Sequence, residues 1–175
     1  MKSRKQLATS SKSKKSTRGR KAPRMTKVIK FWLDKFMPVL SKRHGTHAKR
    51  IFHRLMKKSS TLRSTLKRRS KEYEVVFKIS LPTVRELLLR AYSKPCIYCN
   101  TVLDVSNMVC DHIVPLSSGG PSISQNLEMI CKRCNIRKGP LTGREYRIFI
   151  EFLDNQPKHV QEYVYRKLAG KEMFN

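Results

Sequence analysis

Apolar positions recur with a helical period early in the chain, alternate further on, and then return to the helical period. Val28, Ile29, Phe31, Trp32, Leu33 and Phe36 predict a short helix, ended near Pro38 because its ring removes a backbone donor. Ala48, Ile51, Phe52, Leu55 and Met56 fall at i, i+3, i+4, i+7 and i+8 and predict a second helix. The opposite face carries Lys49, Arg50, Arg54 and Lys57, so the apolar stripe reads as a packing surface rather than a membrane face. Thr61 to Arg69 is again basic, with Leu62 and Leu66 one helical turn apart. The period then changes. Tyr73, Val75, Phe77 and Ile79 alternate with Glu72, Glu74 and Lys78, the pattern of a half-buried strand.

After Pro82, Thr83-x-x-Glu86 reads as a capping box. It opens a helix with Val84, Leu87, Leu88 and Ala91 on one face, stopped by Pro95. Val102 to Val105 and Met108 to Val114 predict two short strands across a Ser106-Asn107 turn. Period two puts Cys110 and His112 on one face and Asp111 on the other. Pro115 and Gly119-Gly120 force a loop, and a helix then carries Cys134, Asn135 and Lys138. A second capping box, Thr142-x-x-Glu145, starts a helix with Tyr146, Phe149, Ile150 and Leu153 inward. Pro157 starts the last one, with Val160, Val164 and Leu168 inward and Gly170 near its end.

Charge divides this pattern in two. The chain has 175 residues, enough for one compact domain plus extensions, and a formal charge of +27. Residues 1–70 hold 24 Lys and Arg against one acid, Asp34; residues 71–175 hold 15 against 11. Such an excess points to nucleic acid, and no long apolar segment suggests a membrane. Residues 1–27 are too poor in apolar side chains to repay ordering and are expected to form a disordered basic tail. Lys12 to Arg24 also reads as a nuclear-localisation patch; a transit peptide fits less well, since Lys outnumbers Arg.

Two Cys-x-x-Cys pairs, Cys96/Cys99 and Cys131/Cys134, make a four-thiolate zinc site the default reading. Disulfides or a thioredoxin-like motif fit poorly, because neither pair opens a βαβ-like helix and no signal peptide is visible. Thiolate ligands imply a reducing, intracellular compartment, the cytoplasm or the nucleus. Cys110 is expected to be a small buried strand residue. His44, His47 and His53 lack an accompanying Cys or carboxylate and read as solvated or DNA-facing rather than as a metal cluster.

Thirty-one residues, Asn100 to Ile130, separate the pairs, whereas zinc ribbons use roughly 12 to 20. Something folded is housed there. It contains a carboxylate, Asp111, a general-base candidate, His112, and an amide, Asn126, with a second amide, Asn135, after the last cysteine. A four-thiolate site is closed to substrate, so the zinc is structural and chemistry needs a second metal on oxygen ligands.

In these residues the sequence resembles the HNH endonuclease family. Its elements are all present in order: the C-x-x-C knuckle, Asp111-His112-Ile113-Val114-Pro115-Leu116, Gly119-Gly120, Asn126-Leu127 and Cys131 to Gly139. The third motif position is Asn135, not His, as in the H-N-N members. The resemblance implies an α+β fold: a small ββα-metal nuclease core stapled by zinc and flanked by helices. It also implies metal-dependent phosphodiester hydrolysis of double-stranded DNA. His112 would deprotonate water, Asp111 and Asn135 would hold Mg²⁺ or Mn²⁺, and Asn126 would tie down the loop. Arg133, Arg137 and Lys138 would hold backbone phosphates, and Lys49, Arg50 and Arg54 would add contacts from the basic extension.

The expected organisation is a tail (1–27), a basic helical DNA-binding extension (28–70), the nuclease domain (71–155) and a C-terminal helix (156–175). The rival reading is a non-catalytic zinc-ribbon nucleic-acid binder. It accounts for zinc and charge, but not for Asp111-His112 together with Asn126 and Asn135. Strand count, DNA against RNA, monomer against dimer, and a phage, homing or restriction role stay open at this point.

Overall fold

The computed structural model describes residues 27–169; the expected tail, up to residue 26, and Gly170 lie outside the described residues. The fold is mixed but mostly helical, with one two-stranded antiparallel sheet. No helix among the described residues is long and apolar enough to cross a membrane.

Helix α1, Lys27–His44, buries Trp32, Phe36 and Leu40 at four-residue spacing. It does not stop at Pro38, as expected, but runs two turns beyond it. Pro38 and Asp34 are both exposed, so the Asp34 carbonyl that loses its partner faces water and the proline costs little. A turn at Gly45–His47 leads into α2, Ala48–Glu72, a single 25-residue helix where two separate stretches were expected. Its Ser/Thr run does not break it. Ser59 and Ser60 donate back to the Met56 carbonyl, and Thr61 to that of Lys57.

The strand expected over Tyr73 to Ile79 is absent. Burial does deepen from Val75 to Ile79, but the neighbour is a loop. One parallel bridge forms, Phe77 to Ser122, through Lys78 N–H to Ser122 O (2.9 Å) and Ser122 N–H to Val76 O (2.8 Å). Helix α3, Leu81–Ala91, buries Val84 and Leu88. Its cap is Ser80, which accepts from Thr83 N–H at 3.2 Å, rather than Thr83. Glu86 is thereby too deep in the helix to close a box and pairs with Lys35 and Arg90 instead.

Strand β1, Met108–His112, pairs antiparallel with β2, Leu127–Cys131, from Met108 opposite Cys131 to His112 opposite Leu127. The expected partner, Val102 to Val105, is not a strand. Asp104 Oδ1 accepts from Ser106 and Asn107 N–H and folds that segment into a turn. Helix α4, Lys132–Lys138, starts directly from β2. Helix α5, Gly143–Asp154, carries the expected capping box between Thr142 and Glu145. The last helix, α6, Lys158–Ala169, leaves Leu168 exposed rather than inward. One apolar core runs from Trp32 and Phe36 through Phe52, Leu88 and Leu103 to Met108, Ile130 and Tyr146.

Candidate active site and metal centre

The four paired cysteines converge from the turn after α3 and from the junction of β2 with α4, with all four sulfurs within 4.8 Å of one another. A tetrahedral ion at about 2.3 Å from each sulfur needs sulfurs roughly 3.8 Å apart, so zinc fits this cluster. Backbone donors already face the sulfurs: Cys131 N–H points at Cys96 Sγ and Cys134 N–H at Cys131 Sγ, both at 3.4 Å. Burial pushes the Cys99 thiol up, but hydrogen bonds with Thr101 and with the Cys134 and Cys131 thiols outweigh it and bring it down to about 6. Cys110 lies half-buried on β1, and burial pushes its thiol up to about 12, which suits an inert core residue.

A cleft of roughly 250 Å³ opens beside the end of β1. Asp111 and His112 line it together with Ser117 and Gly139, α2 supplies Arg69, and the residue that caps α2, Tyr73, lines it too. His112 is buried, 4% exposed, with Nε2 2.8 Å from Ser122 Oγ. Burial holds its pKa below the ordinary histidine value; Asp111 pulls it up, while Arg69 and Lys138 press it further down. The ring is therefore neutral at working pH, the state a general base needs.

Lys138 is 1% exposed. Its ammonium donates to the His112 carbonyl at 2.9 Å and stands 2.9 Å from Asp111 Oδ2. Oδ2 is thus buried against this counter-charge in a close ion pair. One ion pair leaves a carboxylate with further lone pairs, and such oxygens are the donors a hard divalent ion would take.

Asn126 is buried and fully bonded. Its Oδ1 accepts from Val114 N–H at 2.8 Å, and its Nδ2 donates to the Val114 and Pro121 carbonyls at 3.0 and 2.9 Å. It knots the loop between the two strands and does not line the cleft. Gly120 sits inside the same loop, where a Cβ would lie 1.8 Å from the Val114 carbonyl oxygen.

Residues 96–141 match the HNH endonuclease family model. This segment is an HNH endonuclease domain. No curated protein matches the chain. Within the HNH domain, Asp111 and His112 come together in the cleft, whereas Asn135 is half-buried on α4, one turn before Lys138, and is not among the lining residues. One expected phosphate contact needs correction. Lys138 is an interior charge serving Asp111 and His112, too deep to meet a backbone phosphate. Arg137 is half-buried, its guanidinium 3.7 Å from the centre of the Tyr165 ring on α6. Arg133 is exposed, with Nη2 3.2 Å from Thr101 Oγ1 beside the cysteines. Lys49, Arg50, His53 and Arg54 are exposed on α2 and His47 is exposed in the turn before it, while His44 is hydrogen-bonded to Tyr92 rather than solvated. Ser70, Ser122, Arg69 and Tyr73 were not anticipated. Ser122 lies in the motif loop, but nothing in the sequence ties α2 to it.

Proposed function

We propose that the protein is a metal-dependent DNA endonuclease that hydrolyses phosphodiester bonds in double-stranded DNA. One observation supports this reading: a neutral, buried His112 and the Asp111 carboxylate line one cleft roomy enough for a phosphate. His112 takes the proton of the attacking water. Asp111 holds Mg²⁺ or Mn²⁺, with Asn135 as the second protein ligand and Asn126 as the loop tie. A divalent ion bound there supplies positive charge to the phosphate and the leaving oxygen. Zinc on the four cysteines is structural.

Residues 28–70 act as the basic extension, residues 71–155 as the nuclease unit and 156–175 as the C-terminal segment that contains α6. Lys49, Arg50, Arg54 and Arg133, with the N-terminal tail, hold phosphates. Arg54 stands roughly 24 Å before Ser70 along α2, so the contacts from Lys49, Arg50 and Arg54 fall several base pairs from the cleft. A single site per chain makes a nick the simpler product. A phage, homing or restriction-like role would each suit such an enzyme.

The rival, a non-catalytic zinc-containing binder, is favoured by the Lys138 charge already balancing Asp111. A supercoiled plasmid separates the two. The zinc-loaded chain should relax it with Mg²⁺ or Mn²⁺, and His112→Ala should cut at least about 100-fold more slowly while keeping its zinc. Equal rates for both proteins, or no cleavage with any divalent ion, would leave the binder. Asn135→Ala should lose cleavage with each metal; unchanged activity would remove Asn135 from the ligand set.

A further inference from the structure

His112 Nε2 ends a line of buried contacts that leaves the HNH domain altogether. Nε2 is 2.8 Å from Ser122 Oγ, Ser122 Oγ is 2.6 Å from Ser70 Oγ, and Ser70 Oγ is 2.8 Å from the Leu66 carbonyl. Ser70 and Ser122 are 1% and 0% exposed, so water cannot supply or remove a proton along this line. Each hydroxyl has one proton, and a carbonyl has none. One orientation puts a proton on every contact. Ser70 donates to Leu66, Ser122 donates to Ser70, and the ring donates from Nε2 to Ser122. The reverse orientation points two oxygen lone pairs at each other across the buried Ser70–Leu66 contact.

We infer that Ser70, through Ser122, is a positioning residue that fixes the His112 tautomer with the proton on Nε2 and the lone pair on Nδ1. Nδ1 has no hydrogen-bond partner among the described residues, and the ring borders the cleft. The base is thus set by α2, an element outside the matched segment 96–141. The bridge between Phe77 and Ser122 holds the second hydroxyl in place. The catalytic consequence rests on the nuclease reading above; the tautomer does not.

The test uses the full zinc-loaded chain with ¹⁵N-labelled histidine, above neutral pH, where long-range ¹H–¹⁵N spectra report which ring nitrogen bears the proton. The His112 signals are identified by their loss in His112→Gln. The wild type should show the Nε2–H form. Ser70→Ala suits a helix and should leave the fold intact. It takes away the acceptor for Ser122, whose hydroxyl then turns to Nε2 and drives His112 to the Nδ1–H form. Its kcat should fall about 10- to 100-fold with KM little changed, since general-base catalysis is worth about 10²–10⁴. Ser122→Ala should give a mixture of tautomers and a similar fall. An Nδ1–H ring in the wild type, or an Nε2–H ring retained in Ser70→Ala, would overturn the inference. A wild type that cleaves nothing would sink the nuclease reading, while the spectra would still decide the tautomer.

Discussion

The helices of residues 27–91 and the HNH domain of residues 96–141 are held together by different means. The first region has long periodic stripes. Trp32, Phe36 and Leu40 on α1 meet Phe52 and Leu55 on α2, with ring centres of Phe36 and Phe52 6.1 Å apart. The second has two five-residue strands, too little sheet to stand alone in water. It relies on four thiols, a knotted amide at Asn126 and interior polar groups at His112, Ser122 and Lys138. Apolar area gives stability that tolerates local change, whereas point fastenings give positions fixed closely enough for chemistry but vulnerable one at a time. The chain places the proposed reacting groups, Asp111 and His112, in the fastened region and leans that region on the packed one.

Removing zinc should break this comparison most strongly. Structural zinc contributes on the order of 10 kcal/mol or more to such sites, so a chelator or Cys134→Ser should unravel the HNH domain. Hydrogen exchange should then rise across β1, β2 and α4 and stay low in α1 and α2. Uniform loss of protection would show that the helices do not hold alone. The converse change is Phe36→Ala, at a fully buried ring, expected to cost about 3–5 kcal/mol. Calorimetry should show the lower melting temperature, with four-thiolate zinc content unchanged at room temperature; loss of zinc would tie the two regions into one unit.

Gly120→Ala comes next. The added methyl must displace the Val114 backbone, so about 1–3 kcal/mol of stability should go. Cleavage should fall further than stability, because that loop starts at His112. A variant with full activity would mean the loop is soft. The smallest effect on the fold belongs to Lys49→Gln, Arg50→Gln and Arg54→Gln combined, all exposed. Melting should stay within about 0.5 kcal/mol, while the log–log salt slope of DNA binding should drop by roughly 0.9 for each phosphate no longer neutralised. An unchanged slope would place the DNA elsewhere.

What could be read from the sequence follows the same division. The stripes of α1 and α2 were legible because period 3.6 survives in the residue order, although Pro38 hid the continuation of α1: the rule for proline does not see which face it occupies. β2 was missed. Leu127, Glu128, Met129, Ile130 and Cys131 lack alternation, since Met129, Ile130 and Cys131 are all buried. Asp111, His112 and the cysteines were legible as a local motif with fixed spacing. The contact of Ser70 with Ser122 spans 52 residues and two ordinary side chains, so only the folded chain reveals it. Lys138 was misplaced because a lysine reads as surface unless its counter-charge, Asp111, is known to be near.

That lysine has a practical consequence. The chain is crowded with exposed amines, while Lys138 is the lysine buried among the described residues. An acylating reagent applied to the native protein should mark the others within minutes and reach Lys138 at the rate at which the hairpin and α4 part. Peptide mass mapping of that single position against time would act as a chemical clock for opening of the cleft. Zinc, a divalent ion or DNA would each slow it by the extent to which it favours the closed form. The buried charge that balances Asp111 is thus also a built-in reporter on the stability of its own surroundings, readable without a substrate.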